Sequence, residues 1–181
     1  MERQINDSPF SFVILTTKLI NMKNIKIFFT ALAALLTVQA NAQQPLEYCN
    51  NRFGFCVEYP VDLHLAKDRP INGDGIILEA NGGSITVNIS GSHNIMDYSP
   101  QRLYEFEKME FAEGQENGVE ELRLTTDAEG FQAVLAGDED IEAIRMWRLN
   151  GAYAMISIRG PKSDRERIEE LWRQIKLSVN S

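Results

Sequence analysis

The sequence predicts an α+β fold: a layered sandwich whose mainly antiparallel β-sheet carries two packed amphipathic helices. Three observations predict it. Apolar and polar residues alternate around two Asn-Gly pairs, Asn81-Gly82 and Asn150-Gly151, and Asn-Gly supplies the positive φ angles that a tight hairpin demands. Two other stretches, opening at Ser99-Pro100 and at Ser163, place helix-start signals ahead of apolar residues at helical spacing. Hairpins make neighbouring strands antiparallel, and each helix must bury its apolar stripe against the sheet they form.

The elements follow in order along residues 43–181, which read as a single domain. Cys49 and Cys56 flank an Asn-rich segment whose length suits two strands meeting around a short turn. Phe53, Phe55 and Val57 alternate with Gly54, Cys56 and Glu58, the period of a strand with one buried face. Tyr59-Pro60 ends it, because proline cannot continue a ladder. Val61–Gly75 reads as a loop, punctuated by Pro70 and Asn72-Gly73-Asp74-Gly75. The first hairpin joins Ile76–Ala80 to Ser84–Ser90, with Ile85, Val87 and Ile89 on one face.

Ser99 is placed to cap a helix and Pro100 to start it. Leu103, Phe106 and Met109 or Glu110 mark its stripe, and Gly114 its stop. An acidic stretch leads to strands at Leu122–Thr126 and Phe131–Ala136, turning at Asp127–Gly130. The second hairpin joins Ile141–Leu149 to Ala152–Arg159, and Gly160-Pro161 breaks it. Ser163 and Glu166 have capping-box spacing. Ile168, Leu171, Trp172 and Ile175 then form one apolar stripe.

Residues 1–42 read differently. Lys23 and Lys26 precede an apolar run from Ile27 to Val38, and Ala40-Asn41-Ala42 has the small-x-small pattern of a cleavage site. That order is the secretory signature, and the run is well short of the ~20 residues of a membrane-spanning helix. The expectation is export to the periplasm or beyond, with cleavage near Ala42. Met22 directly precedes the basic segment and is the expected start, which would make residues 1–21 an N-terminal extension from gene calling. No cysteine follows the apolar run at lipobox spacing.

The whole chain has a formal net charge of −8. Only Glu2 and Asp7, against Arg3, Lys18, Lys23 and Lys26, fall in the first 42 residues, so the remainder stands near −10. Such a charge repels nucleic acid and anionic headgroups. In an exported protein two nearby thiols favour a disulfide, Cys49 to Cys56.

Catalytic constellations are not visible. The 2 histidines, His64 and His93, are scattered, whereas a zinc site needs three or four ligands at organised spacing. Setting Gly75 at the sixth position of a calcium loop puts Pro70 and Asn81 where acidic ligands belong. Asn72 and Asp74 therefore read as turn residues bonding local backbone. Ser92-His93 lacks a nucleophile-elbow context, and Glu120-Glu121, Asp138-Glu139-Asp140 and Glu169-Glu170 read as solvated faces. Neither a phosphate loop nor a dinucleotide fingerprint is present. Arg145, Trp147 and Arg148 form a basic-aromatic patch, with Tyr153 across the hairpin, although a tryptophan alternating along a strand is more often core.

The segment Asn51-Arg52-Phe53-Gly54-Phe55-Cys56-Val57-Glu58-Tyr59-Pro60 resembles the opening of small exported bacterial proteins of unknown function. Asn72-Gly73-Asp74-Gly75, the Asn81-Gly82 hairpin, and the closing order of hairpin, Gly-Pro and amphipathic helix strengthen the likeness. These proteins look like members of the PsbP-like sandwich superfamily. Over most of residues 46–178 the resemblance implies a central antiparallel sheet with helices on both sides, and it carries over no catalytic residue.

The functional expectation is a non-enzymatic envelope protein that binds another protein or an envelope component, without cofactor, metal or nucleic acid and not embedded in the membrane. The alternative is a small-molecule or metal-ion binding domain built on the His64–Gly75 loop. Candidate contact residues are His64, Asn72, Asp74, Arg145, Trp147 and Tyr153.

Overall fold

The computed structural model describes residues 44–67 and 73–179. Seven strands form one antiparallel sheet in the spatial order β3 (His64–Leu65), β4 (Gly75–Ala80), β5 (Ile85–His93), β9 (Ala152–Pro161), β8 (Asp140–Leu149), β7 (Gly130–Ala136), β6 (Glu120–Thr126). Three more form a second sheet: β1 (Leu46–Asn50), β2 (Phe55–Tyr59) and β10 (Lys176–Val179), with β2 in the middle. Helix α1 (Pro100–Ala112) joins β5 to β6, and α2 (Arg165–Gln174) joins β9 to β10.

Strand register assigns every side chain of the large sheet to a face. Val87 pairs with Ile158 and Ile89 with Ile156, and Ile158 in turn pairs with Ala143. This face packs against Phe55, Val57 and Tyr59 of the small sheet and against Ile168, Leu171 and Ile175 at and beside α2. On the opposite face Phe131, Ala133, Leu135, Ile144 and Met146 receive Leu103, Tyr104 and Phe111 from α1. The seven-stranded sheet is thus a middle layer, buried by alternate residues on both sides. The α+β sandwich and the helices on both sides of the sheet are as the sequence implied.

The small sheet is tied to the large one at the β1–β2 turn. The Phe53 ring lies over Gly91, where an added Cβ would sit 2.3 Å from a ring carbon. The Asn50 side chain donates to the Asp74 carbonyl at 3.1 Å, and Arg52 forms an ion pair with the Asp74 carboxylate.

The hairpins turn where expected, with φ of 51° at Asn81, 68° at Gly82 and 70° at Gly151. Ser99 accepts a hydrogen bond from the Arg102 N–H, capping α1. Other details differ. His64-Leu65 is a short strand inside the expected loop, and Phe53 belongs to the turn rather than to β2. Gly160-Pro161 does not break β9, because Pro161 ends it opposite Asp140, where its missing N–H costs nothing to the next strand. Ser163 does not cap α2. A single 3₁₀ turn (Lys162–Asp164) precedes the helix, and Asp164 accepts from the Ser84 hydroxyl at 2.9 Å instead of capping. The stripe of α1 is Leu103, Tyr104 and Phe111, with Phe106 half-buried and Met109 54% exposed. Strand β10 was not expected at all.

The Cys49 and Cys56 sulfurs are at bonding distance, 2.06 Å, across the directly opposed pair of β1 and β2. Mass measurement should show two hydrogens gained on reduction of the purified protein; free thiols beforehand would end the assignment. Because the bond closes a sequence separation of only 7, its removal is expected to cost at most ~2–3 kcal/mol, read as a modest fall in denaturation midpoint.

Candidate functional site

The expected contact residues do not gather in one place. Asn72 lies outside the described residues, as do residues 1–42 with the expected leader and cleavage point. His64 sits exposed near the sheet edge on β3, paired with Glu79. Asp74 is held by Asn50, Arg52 and the Gly91 N–H, the last at 2.8 Å, which makes it a joint between sheets. A surface depression of about 450 Å³ lies beside it, lined by Tyr48, Asn50, Arg52, Gly73 and Ile77 among others, and His64 is not part of it.

Register also separates the aromatic candidates. A two-residue turn at Asn150-Gly151 pairs Arg148 with Tyr153 and Trp147 with Ala154. Tyr153 therefore shares a face with Arg148, packing on the α1 side, where Arg148 forms a 2.7 Å ion pair with Asp97. Arg145 and Trp147 lie on the other face. Of the five described candidates, only these two converge.

What they converge on is a groove. It lies between β6 and β8 of the large sheet on one side and α2 and β10 on the other. The groove has a volume of about 720 Å³ and is lined by Arg123, Arg145, Trp147, Glu169, Trp172, Arg173, Ile175, Lys176 and Leu177. Both of the chain's 2 tryptophans are in it. The Arg145 guanidinium lies 4.3 Å from the Trp172 ring centroid and 5.5 Å from that of Trp147, so the two indoles hold it by cation–π attraction. Its Nη2 donates to the Gln132 side-chain oxygen at 3.2 Å. Burial pulls the Arg145 pKa below its ordinary value, because the charged form is partly desolvated.

The charge distribution marks this groove out. Most described cations have a carboxylate within 4 Å: Arg52, Arg102, Lys108, Arg148, Arg159, Arg165 and Arg167. Among the described residues, those without one are Lys67, Arg123, Arg145, Lys162, Arg173 and Lys176, and four of these line the groove. Its single acid among the described residues, Glu169, is engaged by Arg165 at 2.9 Å, and that hydrogen bond first, then the charges of Arg165, Arg173 and Arg123, hold its carboxyl below the ordinary range. A cationic concavity in a strongly acidic protein focuses field toward anions.

In the sequence Arg145 and Trp147 stand out only as members of a basic-aromatic patch, and alternation along a strand points to Trp147 as core. Nothing in the sequence marks Trp172, Arg173 and Lys176 as their companions, because only the return of α2 and β10 over the sheet brings them there, and Arg123 arrives from two strands away.

Other polar clusters have plainer accounts. Among the described residues the one group of three metal-ligand types within reach is Glu47, Cys49 and Cys56, and its sulfurs are joined to each other, leaving no thiolate to bind a metal. Buried Glu142 accepts from the Ser157 hydroxyl. Glu107, on α1, is pushed up to about 7 by desolvation and by the carboxylates of Glu110 and Glu142. His93 packs its ring 5.0 Å from that of Phe53. Among the described residues no helix is long and apolar enough to cross a membrane.

Comparison with one solved structure supports the fold. The solution structure of cyanobacterial PsbP (CyanoP) from Synechocystis sp. PCC 6803 superimposes with a TM-score of 0.52 at 10% identity, over 77% of this chain and 95% of that one. A crystal structure from Bacteroides thetaiotaomicron VPI-5482 aligns at 14% identity and a TM-score of 0.43, over 77% of this chain and 50% of that one. No family model matches the sequence, and no curated protein does so significantly.

Proposed function

We propose that this chain, which has the PsbP-like fold, is an exported, non-catalytic binding module whose contact site is the Arg145–Trp172 groove. Its partner is an anionic protein or envelope component. The observation that carries this reading is Arg145: a partly desolvated cation stacked on two indoles that, among the described residues, has no carboxylate within 4 Å. Cation–π contacts and one neutral acceptor offset part of its desolvation, and an incoming anion offsets more. Arg173, Lys176 and Arg123 around it supply the longer-range attraction that raises encounter rates. Aromatic residues with arginine are the side chains most often found to dominate binding energy.

The alternative, a ligand site on the His64–Gly75 loop, has less support. Asp74 is engaged in joining the two sheets, and the neighbouring depression excludes His64.

The test uses the purified protein and its Arg145→Ala/Arg173→Ala variant as bait in an envelope extract at low and high salt. Wild type should retain an acidic partner at low salt and release it as screening rises, while the double variant should retain little. Recovery of the same partner by both proteins would count decisively against the groove.

A further inference from the structure

We infer that the groove receives a stretch of acidic polysaccharide, a chain of sugar rings bearing carboxylate or sulfate groups. This rests on the reading of the groove as an anion site and names the class of anion.

Two features point to a ring-bearing ligand rather than to charge alone. Every tryptophan of the chain is in the groove, and both are half-buried rather than sequestered in the core. An indole face is electron-rich, so it attracts the C–H bonds on the flat side of a sugar ring, while its apolar area gains by leaving water. The polar groups around the indoles suit the ring's substituents. The guanidinium of Arg145 is a charged donor suited to a carboxylate or sulfate, and its stacking on Trp172 fixes its plane. Gln132 beside it offers an amide to hydroxyls. Arg173 and Lys176, exposed on the opposite wall, meet further charges along an extended ligand.

An acidic peptide fits less well. An extended peptide can bind by pairing with a sheet edge, and two edges border the groove, the four-residue β10, short for strand addition, and β6. Its register shifts between Glu121 and Arg123, and Glu120 and Glu121 are exposed upon it. A shifted, charged edge resists strand addition, and those glutamates repel an acidic chain. Nucleic acid would stack its bases on the same indoles, and single-stranded DNA binding as tightly as the saccharides is a further result that overturns the sugar assignment.

The experiment titrates the purified protein with polygalacturonate, heparin, neutral dextran, polyglutamate and single-stranded DNA at low salt, following intrinsic tryptophan fluorescence. Because both indoles line the groove, the signal reports on the site itself. Polygalacturonate, heparin or both should bind and shift the emission, and which of them does so identifies the oxyanion. Dextran should not bind, and polyglutamate should bind at least about tenfold more weakly. Trp172→Leu, which keeps apolar bulk while removing the ring, should weaken saccharide binding by about tenfold or more. Arg173→Gln/Lys176→Gln, at exposed positions, should do the same without lowering the melting temperature.

Polyglutamate binding as tight as the saccharides, and lost in the Arg173→Gln/Lys176→Gln variant, overturns the sugar assignment and leaves the anion groove standing. Failure of every polysaccharide to bind, while the envelope partner is still lost from Arg145→Ala/Arg173→Ala, has the same consequence. Saccharide binding indifferent to all of these substitutions overturns both readings.

Discussion

Phe111→Ala should destabilise the protein by about 3–5 kcal/mol, whereas Met109→Ala, two residues away on the same helix, should change stability by no more than about 0.5 kcal/mol. Phe111 is 1% exposed and packs with Leu103, Tyr104, Phe131, Leu135, Ile144 and Met146. Removing its ring takes away the end of α1's contact with the sheet, and the flanking strands cannot close the space, because their positions are fixed by pairing on both sides. The Arg159 guanidinium, 4.9 Å from the ring centroid, would lose its aromatic neighbour as well. Since domains are commonly stable by only about 5–15 kcal/mol, a loss of this size should be plain in a urea unfolding curve. Met109 is 54% exposed and has little buried area to lose. Equal effects at the two positions, or a larger one at Met109, would mean that α1 is rotated from the orientation described.

That contrast also shows where the sequence ran out. Leu103, Phe106 and Met109 fall at helical spacing, but Tyr104 and Phe111 lie seven residues apart and fit a helix stripe equally well. A pattern alone cannot choose between two apolar faces on one helix; the width of the surface on β7 and β8 chooses. The two hairpins were legible because their information is local. Asn81, Gly82 and Gly151 need positive φ, and only a few residue types tolerate it. Strand β10 was illegible for the opposite reason. Lys176–Val179 follows α2 with no turn signal, and it is a strand only because β2, more than a hundred positions earlier, offers an edge. The expected Ser163 cap of α2 is absent because a 3₁₀ turn over Lys162–Asp164 takes in that residue, and Asp164, which stands at the cap position, bonds Ser84 instead. The orientation of Tyr153 was within reach of the sequence. A two-residue turn fixes the pairing of Arg148 with Tyr153, and alternation then puts Trp147 on the other side. The candidate groove needed three separate segments to meet, and nothing in one segment announces the others.

The second large effect is on pH dependence. Glu107 is half-buried under α1, where desolvation first, then the charges of Glu110 on its own helix and Glu142 on β8, push its pKa up to about 7 from 4.5. Glu142 is likewise raised by burial, against the lowering influence of the Ser157 hydroxyl and Arg159, with Asp140 adding to the rise. A carboxyl whose pKa is higher in the folded state binds its proton more tightly there than in the unfolded chain. Folding is therefore favoured at low pH, and stability should fall as pH rises from about 4.5 to about 7, then level off once Glu107 is ionised in both states. Glu121, Asp138, Glu169 and Glu170 act in the opposite sense, since hydrogen bonds and ion pairs hold their carboxyls below the ordinary range. Their stabilisation is complete above the ordinary carboxylate pKa and is lost only in more acidic solution. The two windows do not coincide, so maximum stability should lie near pH 5, on the acidic side of neutrality. Glu107→Gln keeps the shape and removes the charge. It should gain about 1–3 kcal/mol at pH 8 and almost nothing at pH 5. Thermal melts of both proteins from pH 4 to pH 9 decide the matter: parallel curves would show that Glu107 ionises without penalty, and so that α1 does not seat its carboxyl against Glu142.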